Sequence, residues 1–130
     1  MRYMLLIYSR EDPSVPCEQL AEIAAKHASL LEESARRGVL KAADPLAPSN
    51  TATTVRVEGG NVLVTDGPFA ETKEQLAGYY ILDCRDLDEA VEWAAKIPTS
   101  CQGAPGYVEV RPLREMRRPG GTNDRPERDN

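Results

Sequence analysis

Apolar positions along this chain come in blocks whose spacing changes from strand-like to helix-like and back. Tyr3 to Tyr8 is apolar on both alternating faces, which predicts a central strand covered on two sides. A polar loop of turn formers follows. Between Pro16 and Gly38, Leu20, Ile23, Ala24, His27, Leu30, Leu31 and Ser34 recur at helical spacing, predicting an amphipathic helix of about six turns. Pro16 suits the first helical position and Gly38 the end. Val39 and Leu40 begin an extended segment that KAADPLAPSN breaks into loop. Thr53–Glu58 and Asn61–Thr65 alternate as strands around Gly59-Gly60, a hairpin signal.

Gly78 to Cys84 is a further strand apolar on both faces. Asp86, with Glu89 three residues on, resembles a capping box. Leu87, Ala90, Val91, Ala94 and Ile97 then supply a second helical stripe that Pro98 stops. Gly106–Arg111 alternates as the last strand. From Arg114 onward the apolar periodicity is gone, which predicts a domain over residues 1–113 and a flexible tail over 114–130. The order β-α-β-β-loop-β-α-β predicts a ferredoxin-like α+β domain with an antiparallel sheet and both helices on one face. Two helices leave the other face bare, and a second copy packed sheet to sheet would cover it, so a homodimer is expected.

Charge and composition narrow the functions. The chain has 130 residues, 41% hydrophobic, with a net charge of −5 and its basic residues interspersed with acids. Direct nucleic-acid binding, which needs a basic face, is excluded. No apolar run reaches transmembrane length, so no membrane partner is expected. The opening MRYMLLIYSR is too short in its apolar part for a signal peptide, and Cys17, Cys84 and Cys101 form no C-x-x-C pair. Those features suit a reduced, cytoplasmic setting. One histidine and three dispersed cysteines give no metal-ligand spacing, and no cofactor is expected.

The densest group of ionisable residues is in VTDGPFAETKEQLAGYY. Asp66-Gly67-Pro68 is a turn signal, Phe69 is expected to bury its ring as an anchor, and Asp66, Glu71, Lys73 and Glu74 follow closely. Solvated charges on a surface turn explain part of this. A cleft rim, with paired carboxylates for substrate hydroxyls and Lys73 for an anion, explains the rest. His27, the only histidine, falls inside the first helical stripe and is either a satisfied core histidine or an acid–base group. Arg56 is either an exposed strand arginine or a binder of a carboxylate ligand within the fold. Tyr8, Tyr79 and Tyr80 are candidates to line a pocket.

DGPFAETKEQLAGYYILDCRDLDEAVEWAAKIP, residues 66–98, resembles the signature of the DGPF branch of the YCII-related proteins. The similarity runs from Met1 to about Leu113. The resemblance implies a dimeric α+β barrel of ferredoxin-like protomers. It further implies small cofactor-free enzymes that use a His and an Asp as acid and base. Genes of the branch often lie beside those for extracytoplasmic-function sigma factors.

His27 sits before Gly38 at the spacing of the family's histidine. The family's carboxylate has no match here, since Arg36 and Arg37 precede Gly38; Asp44 and Asp66 are the substitutes. The expectation is therefore a cofactor-independent lyase or isomerase acting on a small anionic or hydroxylated substrate. In it His27 and Asp66 are catalytic, and Arg56, Lys73, Glu71 and Tyr8 bind substrate. The alternative is a non-catalytic ligand-binding or regulatory module serving a sigma-factor system.

Overall fold

The computed structural model describes residues 1–12, 14–99 and 105–116. Most of the expected tail, and Cys101, lie outside them. The elements are β1 (Arg2–Arg10), α1 (Leu20–Arg36), β2 (Leu40–Pro45), a short 3-10 turn (Ser49–Thr51), β3 (Thr53–Glu58), β4 (Asn61–Asp66), β5 (Glu74–Asp83), α2 (Leu87–Ala94) and β6 (Tyr107–Pro112).

A four-stranded antiparallel sheet runs in the order β2-β5-β1-β6, the ferredoxin-like arrangement. β3 and β4 pair only with each other. Here the structure corrects the expected order. The segment read as loop after Leu40 is the sheet strand β2, and the predicted hairpin stands apart as an insertion. Asp44 and Pro45 are poor strand formers, but β2 is an edge strand, where a missing ladder donor is tolerated.

The alternation of β1 divides the sheet into two faces. Tyr3, Leu5 and Ile7 are buried and meet Leu82, Tyr80 and Gly78 across the ladder to β5. Leu30 of α1 and Ala90 and Trp93 of α2 complete this core, so both helices cover one face. On the other face Met4, Leu6 and Tyr8 are only half-buried, and Tyr8 stacks on Tyr107 at 5.0 Å between ring centres.

α1 is shorter than expected, 17 residues from Leu20. It closes as a Schellman motif. Gly38, at φ 72°, allows its own N–H to reach the Ala35 carbonyl and the Val39 N–H to reach that of Ser34. α2 opens as the sequence predicts, with the Asp86 carboxylate accepting from the Glu89 N–H at 2.9 Å. Its buried stripe is rotated from the expected one, however. Ala90, Trp93 and Ile97 are buried, while Leu87 and Val91 are half exposed. The large indole sets the phase. Arg37 and Lys96 lie 4.9 and 4.7 Å from the centre of that ring, and Glu33 takes a hydrogen bond from each of them, joining the ends of the two helices.

One further expectation is overturned. Phe69 is 82% exposed rather than anchored in the core. The DGPF turn is held by its backbone instead, with the Gly67 N–H bonded to the Ala52 carbonyl and the Thr54 hydroxyl donating to the Gly67 carbonyl. A short turn whose own amide and carbonyl are satisfied needs no aromatic anchor. Of the cysteines, Cys84 is buried in the core and Cys17 is disulfide-bonded, a pairing that sequence spacing does not reveal.

Candidate active site

The helical stripe of α1 does two jobs. Its C-terminal half, Leu30 and Ser34, packs into the core, while Ile23, Ala24, His27 and Leu31 face a cavity of about 500 Å³. Ile23, His27 and Leu31 are four residues apart and so share one helix face. The opposite wall is the sheet, chiefly Ile7, Ala43, Gly78 and Tyr80, and Pro98 and Thr99 border it after α2. The lining is overwhelmingly apolar and includes no Lys or Arg side chain.

Within that lining, Nδ1 of His27 and Oη of Tyr80 are hydrogen-bonded at 2.8 Å, with the two rings nearly parallel. Tyr80 is there because β5 alternates, placing it beside Leu5 and Ala43 on the helix-covered face. Burial acts on both groups. It lowers the His27 pKa from its ordinary value and raises that of Tyr80, because desolvation disfavours imidazolium and phenolate alike. At neutral pH an uncharged imidazole therefore meets an uncharged phenol. Either group can donate in this bond, so the proton on the imidazole is free to sit at Nδ1 or at Nε2.

Asp44 also borders the cavity. Its carboxylate accepts a hydrogen bond from the Tyr79 phenol at 2.7 Å, a contact that raises the Tyr79 pKa. Asp44 pairs with Tyr79, and Ala43 with Tyr80, so the Asp44–Tyr79 contact belongs to the sheet face away from Tyr80. Consecutive tyrosines thus serve different partners. Among the described residues the group bonded to His27 is a phenol and not a carboxylate.

The other sequence-derived candidates lie apart from this cavity. Asp66 ends β4 and is exposed, as are Glu71 and Lys73 in the following loop. Arg56 is on the separate hairpin and pairs with Glu58. Tyr8 is on the opposite face of the sheet, stacked on Tyr107. None of these five lines the cavity. The residue that sequence reasoning undervalued is Tyr80, which entered only as one of three strand tyrosines. The alternation Tyr80-Leu82 against Leu5 and Tyr3 was the signal that separates it from Tyr79.

No helix of the described residues is long and apolar enough to cross a membrane. Among the same residues, no three His, Cys, Asp or Glu side chains group as metal ligands. The chain is similar to "Uncharacterized protein R00369" of Rhizobium meliloti (strain 1021), with 48% identity over 68 residues. That match covers 52% of this chain and 54% of the relative, so the chain spans about half the length of the curated protein it matches. The YCII-related domain matches residues 1–117, a span that takes in every residue described above, and the chain belongs to that family.

Proposed function

We propose that the protein is a small cofactor-independent acid–base enzyme of the lyase or isomerase type, with His27 as its proton acceptor. One observation carries this reading: the only histidine of the chain is hydrogen-bonded to a phenol inside an open cavity large enough for a small metabolite. A base held uncharged near neutral pH is ready to accept a proton. The apolar lining without Lys or Arg supports a hydroxylated or carbonyl substrate over an anionic one. Asp44 borders the cavity but commits its carboxylate to Tyr79, and Asp66 lies apart from it, so His27 works without a carboxylate partner in this reading.

The working form in this reading is a homodimer built on the open sheet face. Met4, Leu6, Tyr8 and Ile81 are half-buried there without any helix over them, and a second copy of the sheet would cover them. Such an interface would bury roughly 1,600 Å² or more in total. Sedimentation at micromolar concentration should give a dimer; a monomer at tens of micromolar would refute this arrangement.

A second reading has one observation in its favour, the absence of a carboxylate on His27 among the described residues. It makes the protein a non-catalytic ligand-binding or regulatory module, tied to an extracytoplasmic-function sigma-factor system. A library of small hydroxylated and carbonyl compounds, followed by NMR of the single histidine ring, separates the two. Ligands that shift the His27 signals and are chemically altered by wild type but not by His27→Gln support the enzyme. Ligands that bind unchanged support the module, and silence of every cavity signal would reject both.

A further inference from the structure

A lone base that abstracts a proton becomes imidazolium, and in most sites a carboxylate steadies it. At His27 the bonded partner is the Tyr80 phenol, the one carboxylate residue bordering the cavity is engaged by Tyr79 on the neighbouring strand, and the walls are mostly hydrocarbon. Charge built on His27 would therefore be poorly stabilised. A route that takes one proton and delivers another in the same event avoids that charge. The two cavity groups are already joined by the hydrogen bond such a route needs.

Resting on the acid–base reading above, we propose that His27 and Tyr80 form one proton relay that moves hydrogen between carbon and oxygen of an uncharged, enolisable carbonyl compound. In the starting tautomer Nδ1–H donates to Oη of Tyr80, and the Tyr80 hydroxyl donates to the substrate carbonyl oxygen. Nε2 takes the proton from the carbon next to the carbonyl. The C–H electron pair becomes the carbon–carbon π bond, and the carbonyl π pair takes the Tyr80 proton to give the enol. Tyr80 regains a proton from Nδ1. The pair ends neutral with the opposite tautomer, Nε2–H and Oη–H donating to Nδ1. Return of the proton from Nε2 to a vinylogous carbon, with the enol proton going back to Oη, resets the pair. The net change is then migration of a double bond into conjugation. The substrate class is an uncharged β,γ-unsaturated or otherwise enolisable ketone with an apolar body, matching walls such as Ile7, Ile23 and Leu31.

Cyclohex-3-en-1-one serves as the probe. Conversion to the conjugated ketone is followed by absorbance, α-deuteration in D2O by NMR, and binding by the His27 ring signals. Wild type should exceed the same concentration of free imidazole by about 10²–10⁴-fold, the usual range for positioned acid–base groups. Tyr80→Phe should keep the binding shifts and lose at least about a hundredfold in rate. His27→Gln should lose the reaction entirely. A wild-type proton inventory in H2O/D2O mixtures should be bowed, with more than one proton in flight, and that readout stands even if a variant does not fold. A linear inventory, or an undiminished rate in Tyr80→Phe, overturns the relay. Probe binding without turnover also overturns it, while the cavity reading survives. No shift of His27 by the probe, when other carbonyl or hydroxylated compounds do shift it, overturns the substrate class alone.

Discussion

The Tyr80 phenol meets Nδ1 of His27 at 2.8 Å across 53 residues of sequence, joining the central region of β5 to the middle of α1. This bond ties the covering helix to the sheet at the cavity. Tyr80→Phe should cost the fold only about 1 kcal/mol, the net worth of an ordinary hydrogen bond, because the ring stays packed and the open cavity admits water to Nδ1. Urea titrations of the two proteins check it. A loss of several kcal/mol would mean that the phenol supports the fold far beyond its one bond.

Stability should fall as pH drops through the region below about 6.5. The folded-state pKa of His27 is lowered by burial, so the unfolded chain takes up a proton first. Stability from keeping the ring neutral is present above the ordinary histidine pKa and is lost as pH falls through the lowered one. The partner facing the ring, Tyr80, has its pKa raised and stays neutral throughout. Denaturation midpoints from pH 7.5 to 5 should therefore drop more for wild type than for His27→Gln. Parallel curves would rule this out.

Phe69→Ala should leave the stability of the isolated protomer within about 0.5 kcal/mol, as for an ordinary surface position. The ring is 82% exposed, and the turn around it is held by backbone bonds. Thermal melts at low protein concentration test this. Loss of 3–5 kcal/mol, the usual cost of emptying a buried aromatic site, would restore the anchor that the sequence suggested.

Gly78→Ala should destabilise the fold and disturb the cavity together. A Cβ at residue 78 would sit 2.9 Å from the Asp44 carbonyl oxygen and 3.3 Å from the Pro45 Cα, both backbone atoms of the neighbouring strand. β2 must then move away from β5, at a cost of roughly 1–3 kcal/mol for overpacking. Denaturant titration, with the Tyr79 and His27 NMR signals as local reporters, reads both effects. Unchanged signals would show that the edge strand yields freely.

Trp93→Ala should cost about 3–5 kcal/mol. The indole is buried under two cations that also share Glu33, so its loss empties the core and releases the helix ends at once. Replacing Lys96 by Met should cost far less, because exposed ion pairs contribute little. Equal losses for the two would contradict this account.

Local signals were legible in the sequence wherever a residue's role depended on its near neighbours. β1 and β5 showed themselves by apolar residues on both faces, the hairpin by Gly59-Gly60, and α2 by Asp86 and Glu89. β2 was missed because Asp44 and Pro45 read as loop unless the strand is known to lie at a sheet edge. Phe69 was misjudged because a hydrophobic residue after a turn is ordinarily an anchor, and here the turn is already satisfied. The site was half legible. His27 could be named from its spacing to Gly38 in the family the chain resembles, and Asp44 only as a substitute for an unmatched carboxylate, but the Tyr80 contact arises from how α1 lies over the sheet, which no local pattern encodes.

Pairing between β1 and β5 slips once, with Ile7 opposite Gly78 but Tyr8 opposite Leu76, leaving Ala77 as the extra residue. For the history of the gene this gives β5 a tolerant end and an intolerant one. A codon gained or lost before the slip can be absorbed by lengthening or removing the bulge. Between the slip and Tyr80 there is no such slack. A single-residue insertion just ahead of Tyr79 would turn every later side chain to the other face and deliver Tyr79 to His27 in place of Tyr80, while a deletion would put Ile81 there. Lineages that keep the histidine should therefore vary in length on the Glu74 side of Ala77, and hold the count from Gly78 to Tyr80 unchanged.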